Sequence, residues 1–254
     1  MRVNGHGPFD FSLDTGAGTS LVHTEVAKEL ELEVIGSKEG TTAGGKVAVS
    51  LAKAESLAVA DLQIENVDLG IVDLRALGRA VNARIDGDLG YNFFKNFRLT
   101  IDYASLTLRF EDPRRVERFA RRSRTEVSMR LAHPAKPLIL ADVYANARGP
   151  FQFAIDTGTS TTTIAPELAK KLALTTTVAG PITTGSTAIQ VSAARLQSLH
   201  LGGAKIDNVD VIVSDSLAML SGVVGAKLEG VIGYNFLRYF KVVIDYPKES
   251  LSLL

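Results

Sequence analysis

The sequence predicts a mainly β protein with a few short helices, built as two tandem β domains. Three observations predict it. The chain repeats itself at a domain-sized interval, apolar residues alternate with polar ones ahead of a repeated tripeptide, and turn signals punctuate short strand-like runs. The repeat is plain on alignment. Residues 4–32 match residues 146–174 without a gap, with 14 of 29 positions identical. Residues 55–73 match 197–215 with 7 of 19 identical, and 87–103 match 230–246 with 9 of 17 identical. A period of this length is too long for a solenoid or a propeller blade.

Each half opens with the same elements. Phe9, Phe11 and Leu13 alternate with Asp10 and Ser12, and Phe151, Phe153 and Ile155 alternate with Gln152 and Ala154. Period two marks a strand with one buried face. Asn4-Gly5, Gly7-Pro8 and Gly149-Pro150 signal turns just before it, so each half begins as a hairpin whose second strand runs into Asp-Thr-Gly. Helical spacing follows at 24–32 and 166–174, with Pro166 suited to a first turn. Strand-like runs lie at 46–51, 55–60, 62–64, 67–72 and 98–110, and in the second half at 188–192, 195–201, 204–206, 209–213 and 241–246. Gly90-Tyr91-Asn92-Phe93 and Gly233-Tyr234-Asn235-Phe236 read as short helices after a buried strand. The domains are expected at 1–111 and 129–254. The stretch 112–128 between them is read as a linker, with a basic patch for an anionic partner as the competing reading of Arg114, Arg115, Arg118, Arg121, Arg122 and Arg124.

Composition narrows the function. The 254 residues suit two domains with their own cores. Zero formal charge and 46% hydrophobic residues describe a globular protein without the basicity that nucleic acid demands. No apolar run reaches the ~20 residues of a membrane span, and the start does not resemble a signal peptide. The absence of cysteine removes disulfides, thiolate nucleophiles and cysteine-ligated zinc. Met1 aligns with Val143, so the first half begins partway into its first strand; either the N-terminus was trimmed, where a removed leader would fit a periplasmic or secreted protein, or a terminal strand comes from elsewhere, and the sequence leaves the compartment open.

The chemistry concentrates at Asp14-Thr15-Gly16 and Asp156-Thr157-Gly158. Packing accounts for the apolar matches of the repeat, yet retaining Asp14 and Asp156 gains nothing apolar. Two carboxyls brought together share one proton: the ionised one can deprotonate a water while the other donates to a carbonyl oxygen. (The aspartic-protease dyad is the standard illustration of this split.) Gly16 and Gly158 permit tight turns that bring backbone close to the carboxylates. The Thr15 and Thr157 hydroxyls can lock the two turns together, and Leu13 and Ile155 anchor them. Ala17 and Thr159 occupy equivalent positions, and only Thr159 carries a hydroxyl that could donate to its aspartate. That difference assigns the negative charge to Asp156 and the proton to Asp14.

On these motifs the chain resembles the retropepsin-like aspartic proteases, with two units fused in one chain in the bilobal arrangement of pepsin-like enzymes. Asp14-Thr15-Gly16-Ala17 resembles the retroviral form of the motif, and Asp156-Thr157-Gly158-Thr159 the pepsin form. The family's second signature, two apolar residues then Gly, is matched by Val231-Ile232-Gly233. Asp88-Leu89-Gly90 departs from it, since Asp88 stands where an apolar residue is usual and a lone buried carboxylate is costly. The resemblance implies an aspartic endopeptidase acting on an extended peptide or protein, without cofactor or metal. It would work as a monomer whose halves form an intrachain pseudo-dimer. It also implies substrate-covering flaps, for which the candidates are Gly40–Lys46 and Gly180–Thr187, with Thr42, Gly44, Gly45, Thr184 and Gly185 as contact residues. A catalytically silent peptide-binding module and a dimer of two such chains are the alternatives.

Other motifs carry less. Gly40–Lys46 fits GxxxxGK, but Val47 replaces the required hydroxyl and strand-like residues follow, so nucleotide binding is discounted. His6, His23, His133 and His200 form no metal-ligand spacing. Asp102 and Asp245, in Ile-Asp-Tyr contexts, read as strand-end structural carboxylates.

Overall fold

The computed structural model describes residues 1–42, 45–112, 126–133, 136–184 and 187–254. The first half runs β1 (Arg2–Val3), β2 (Phe11–Leu13), β3 (Leu21–His23), α1 (Thr24–Glu29), β4 (Val34–Thr42), β5 (Gly45–Val59), β6 (Leu62–Val72), α2 (Arg75–Val81), β7 (Gly87–Leu89), α3 (Tyr91–Phe94), β8 (Arg98–Asp102) and β9 (Thr107–Glu111). The second half runs β10 (Glu126–Ser128), β11 (Arg130–His133), β12 (Lys136–Ala145), β13 (Arg148–Ile155), β14 (Thr163–Ile164), α4 (Pro166–Lys171), β15 (Thr177–Thr184), β16 (Thr187–Leu201), β17 (Ala204–Val213), α5 (Ser216–Val224), β18 (Gly230–Ile232), α6 (Tyr234–Leu237), β19 (Lys241–Asp245) and β20 (Ser250–Leu253).

The protein is mainly β and its halves repeat one topology, as the duplication predicts. β2 runs parallel to β7, and β13 runs parallel to β18; β2 and β13 each end at an Asp-Thr-Gly turn. Among the described residues, one sheet is ordered β1-β5-β6-β3-β7-β2, with β4 beside β5, and its counterpart β11-β12-β13-β18-β14-β17-β16-β15, where β12 also pairs β16. A third sheet, β10-β20-β19-β8-β9, draws strands from both halves. Its central pair is β19 with β8, antiparallel, with Val242 opposite Ile101 and Ile244 opposite Leu99. All four side chains are buried. The halves are thus joined by a backbone ladder as well as by apolar packing, and one continuous core includes Phe93, Phe94, Phe153, Ile155 and Phe236.

The structure adjusts several expectations. The runs at 46–51 and 55–60 form one strand, β5, and those at 62–64 and 67–72 form β6. β4 and β15 went unread. β4 is exposed over Val34–Glu39, so it has no buried face to impose alternation, and Gly36, Ser37 and Gly40 dilute its strand propensity. Helix α2 buries no residue fully and carries Gly78, which leaves no apolar stripe to detect. Residues 126–128, placed in the linker by sequence, are β10, which pairs antiparallel with β20. The six arginines of that stretch lie outside the described residues.

Candidate active site

The two Asp-Thr-Gly turns meet where the halves join. Strand pairing delivers them: the Asp14 amide donates to Leu89 O at 3.0 Å, and the Asp156 amide to Ile232 O at 3.0 Å. The threonines then lock turn to turn, as the sequence predicted. Thr15 Oγ1 donates to Ile155 O at 3.1 Å and accepts from the Thr157 amide at 3.1 Å. Thr157 Oγ1 donates to Leu13 O at 2.7 Å and accepts from the Thr15 amide at 3.1 Å. Thr15 is buried, so these bonds replace water that its groups have lost.

The glycines bring backbone close to the carboxylates, as expected, but the left-handed freedom of glycine is not what does it. Neither Gly16 nor Gly158 has a positive φ. Each instead makes room for the carboxyl of the other half. A Cβ on Gly158 would stand 2.5 Å from the Asp14 carboxyl carbon and 2.8 Å from both its oxygens. A Cβ on Gly16 would stand 2.7 Å from the Asp156 carboxyl carbon. Asp14 and Asp156 therefore face across the junction, each against the opposite turn, and both are half-buried.

Backbone amides hold the carboxyls. Asp14 Oδ1 accepts from Gly16 N at 2.6 Å and from Ala17 N at 3.0 Å, while Asp156 Oδ1 accepts from Gly158 N at 2.8 Å. Ala17, set aside as unable to donate through its side chain, donates through its main chain. Thr159 packs its methyl group against Gly233, where a Cβ would meet it at 2.8 Å.

A further layer orients the turns. Ser20 Oγ accepts from Gly90 N at 3.0 Å and donates to Asn92 Oδ1 at 2.7 Å, and Asn92 Nδ2 donates to Asp68 O at 2.8 Å. The second half repeats it: Thr162 Oγ1 accepts from Gly233 N at 3.3 Å and donates to Asn235 Oδ1 at 2.8 Å, and Asn235 Nδ2 donates to Asp210 O at 2.8 Å. The repeated Gly-Tyr-Asn-Phe signalled these asparagines, though not their partners. Tyrosines flank the junction in swapped pairs. Tyr91 meets Tyr246 and Tyr103 meets Tyr234, edge to face at 5.6 and 5.5 Å, so each pair takes one ring from each half. Burial, the neighbouring Tyr234 and the Asp156 charge push the Tyr103 hydroxyl up to about 12. Burial and the Asp14 charge push Tyr246 up as well.

Asp88 occupies the place that puzzled the sequence reading. It is buried in β7, directly opposite Ser12 of β2. Ser12 Oγ donates to Asp88 Oδ1 at 2.7 Å, and Asp88 lines the same cavity as Asp14. Burial first, and the Asp14 charge second, hold Asp88 well above the usual carboxylate range. Its β7 pairing has the same parallel register as β18 in the second half, so the departure does not distort the fold.

A cavity of about 470 Å³ opens beside Asp14, Asp88 and Thr157–Ser160, with Leu77, Val81, Ile85, Tyr103, Leu106 and Leu108 supplying apolar wall. Asp102, at its edge, is a structural carboxylate as expected: Lys241 at 2.8 Å, then the Ser105 amide, lowers it to about 2. A larger open depression of about 670 Å³ lies near α1 and α2, away from both turns, and its Arg84 and Asp86 are paired at 2.8 Å. The hairpins β4–β5 and β15–β16 stand where flaps were expected, and the outer strand of each reaches a helix of the other half: β4 approaches α5, and β15 approaches α2. Thr42 and Gly45 pair at the end of the first hairpin, and Thr184 with Thr187 at the end of the second. Gly44 and Gly185 lie outside the described residues. Gly40–Thr42 and Gly45–Lys46 lie in paired antiparallel strands and no helix follows them directly, which removes the phosphate-loop reading. Among the described residues no cluster of metal-ligating side chains occurs, and no helix is long and apolar enough to cross a membrane.

A family profile described as aspartyl protease matches residues 1–93 and 141–236, one segment in each half. A solved structure, the crystal structure of a retropepsin-like aspartic protease from Rickettsia conorii, is similar at 19% identity over 50% of this chain and 87% of that one, with a TM-score of 0.37. No curated protein matches. With the matched segments covering most of both repeats, the chain belongs to the aspartyl protease family.

Proposed function

We propose that the chain is an aspartic endopeptidase in which Asp14 and Asp156 activate water between the two halves. The observation that carries this reading is the reciprocal seating of each carboxyl against the glycine of the opposite turn. Two carboxyls in one site ionise in separate steps, and the singly protonated pair supplies a base and an acid together. The base takes a proton from water as the water oxygen attacks the scissile carbonyl carbon, and the acid protonates the carbonyl oxygen. Collapse of the tetrahedral gem-diol breaks the C–N bond. The former acid, now charged, takes back a proton from one hydroxyl, and the former base passes the water-derived proton to the departing amine nitrogen, which restores the starting pair. The threonine lock supports this chemistry by fixing both turns, since positional precision is a large part of catalytic rate.

Substrate would lie extended across the junction, under the β4–β5 and β15–β16 hairpins, with backbone pairing to strand edges. The apolar cavity beside Asp14 favours an apolar side chain next to the scissile bond. The ladder between β8 and β19 supports action as a monomer, because the pseudo-dimer is complete within one chain. Purified protein incubated with a mixed peptide library from about pH 3 to about pH 7 tests the reading. Cleavage strongest at acid to mildly acid pH is expected. Peptide binding without cleavage anywhere in that range would favour the silent-module reading, for which the extra buried carboxyl at Asp88 is the specific observation.

A further inference from the structure

The second half shows what stands at the Asp88 position when it is apolar. There Ala154 and Val231 face each other in the β13–β18 pairing, and both are buried. In the first half the same register sets Ser12 opposite Asp88. Both members of the pair are polar, and they bond to each other at 2.7 Å. The substitution is therefore paired, and it places a carboxyl in the cavity that Asp14 lines.

The surroundings decide where protons lie. From β2 and its turn, Asp88 meets the Ser12 hydroxyl and the Asp14 carboxyl. From β3, Leu21 stands opposite it. From the second half the acting charge is that of Asp156. The other ionisable groups at the cavity are Tyr103, Tyr234 and Asp102, whose charge Lys241 balances at 2.8 Å. The charges acting on Asp88 are both negative. A buried carboxylate with one hydroxyl donor and acidic neighbours is held neutral. Two backbone amides point at the Asp14 Oδ1, whereas the hydrogen bond to Asp88 Oδ1 comes from the Ser12 hydroxyl.

We propose that Asp88 is a positioning residue for the dyad: held by Ser12, it keeps its own proton and donates it in a hydrogen bond to Asp14, making Asp14 the base and Asp156 the acid. This rests on the protease reading and reverses the protonation order expected from Thr159. The proton stays on Asp88 through the cycle. The hydrogen bond fixes the Asp14 carboxyl plane and keeps the negative charge on that side of the junction. A carboxylic acid kept neutral in an apolar site so that it can donate a hydrogen bond is a known device of active sites.

Two measurements test it. In protein labelled with ¹³C at aspartate carboxyls, titration from about pH 3 to about pH 8 should leave one carbon in the protonated position at neutral pH. That signal should vanish in Asp88→Asn. If every aspartate carbon of the wild type reaches the ionised position by about pH 6, the proposal is wrong. This readout needs no turnover, so a protein without peptidase activity would sink the protease reading while the carbon signal still decides the state of Asp88. The kinetic arm compares Asp88→Asn, whose amide can still accept from Ser12 and donate to Asp14, with Ser12→Ala/Asp88→Val, which rebuilds the apolar pair of the second half. Asp88→Asn should stay within about fivefold of wild-type kcat, whereas the double variant should lose roughly 30-fold in kcat at little-changed KM, with its acid limb moved to higher pH by about one unit. Equal profiles for the two variants would overturn the role.

Discussion

Gly158 packs against Asp14 so closely that a methyl group on it would stand 2.5 Å from the carboxyl carbon, and Gly16 bears the same relation to Asp156 at 2.7 Å. The glycine of each repeat is thus required by the acid of the other. Gly158→Ala must push Asp14 out of place or open the junction, because the colliding atoms belong to a carboxyl already held by Gly16 N and Ala17 N. Misplacement of a catalytic group by about 1 Å costs on the order of 100-fold. Gly158→Ala and Gly16→Ala should each lower kcat by about that factor while the protein stays folded by circular dichroism. Near-wild-type turnover in either would show that the carboxyls do not act from these positions.

The threonine lock should appear as coupling between positions 142 residues apart in sequence. Thr15→Val leaves Ile155 O and the Thr157 amide without their partner, and each buried group left unpaired costs roughly 1–3 kcal/mol. Thr157→Val removes bonds of the same interlocked set. Denaturant unfolding of the single variants and Thr15→Val/Thr157→Val should therefore give a double-variant loss smaller than the sum of the singles by about 1 kcal/mol or more. Strict additivity would mean that the turns hold their geometry independently.

Asp88 should make stability fall as pH rises. Burial and the Asp14 charge raise its folded-state proton affinity above that of the unfolded chain, so the folded state binds more protons between the two values. By linkage, stability is full below the unfolded value near pH 4 and declines as pH climbs through the raised one. Asp88→Asn removes that slope. It should raise the thermal midpoint at neutral pH and change it little below about pH 4. A variant less stable than wild type at neutral pH would indicate that Asp88 is ionised and paired.

Much of this was legible in the sequence because it was written twice. The repeated Phe-x-Phe-x-x-Asp-Thr-Gly located both strands and both acids, and the threonine hydroxyls suggested the lock that Thr15 and Thr157 form. What escaped were features that depend on partners far away in sequence. Gly16 and Gly158 looked like turn residues because the carboxyl each must accommodate belongs to the other half. Ala17 is a local exception: its partner Asp14 is three residues away, but only its main chain donates. Asp88 looked anomalous because its partner Ser12 lies 76 residues earlier and is joined to it by strand register alone. β4 and α2 were missed for a different reason: neither buries a face, so neither imposes a period on its residues.

The most direct measurement is cleavage of a peptide library by Asp14→Asn and Asp156→Asn, each assayed separately beside the wild type across acid and neutral pH. Loss of cleavage in both, by about 10³-fold or more with the fold intact, is the expected result, since one shared proton needs both carboxyls. Substantial activity remaining in either variant would contradict a single site built from the two halves.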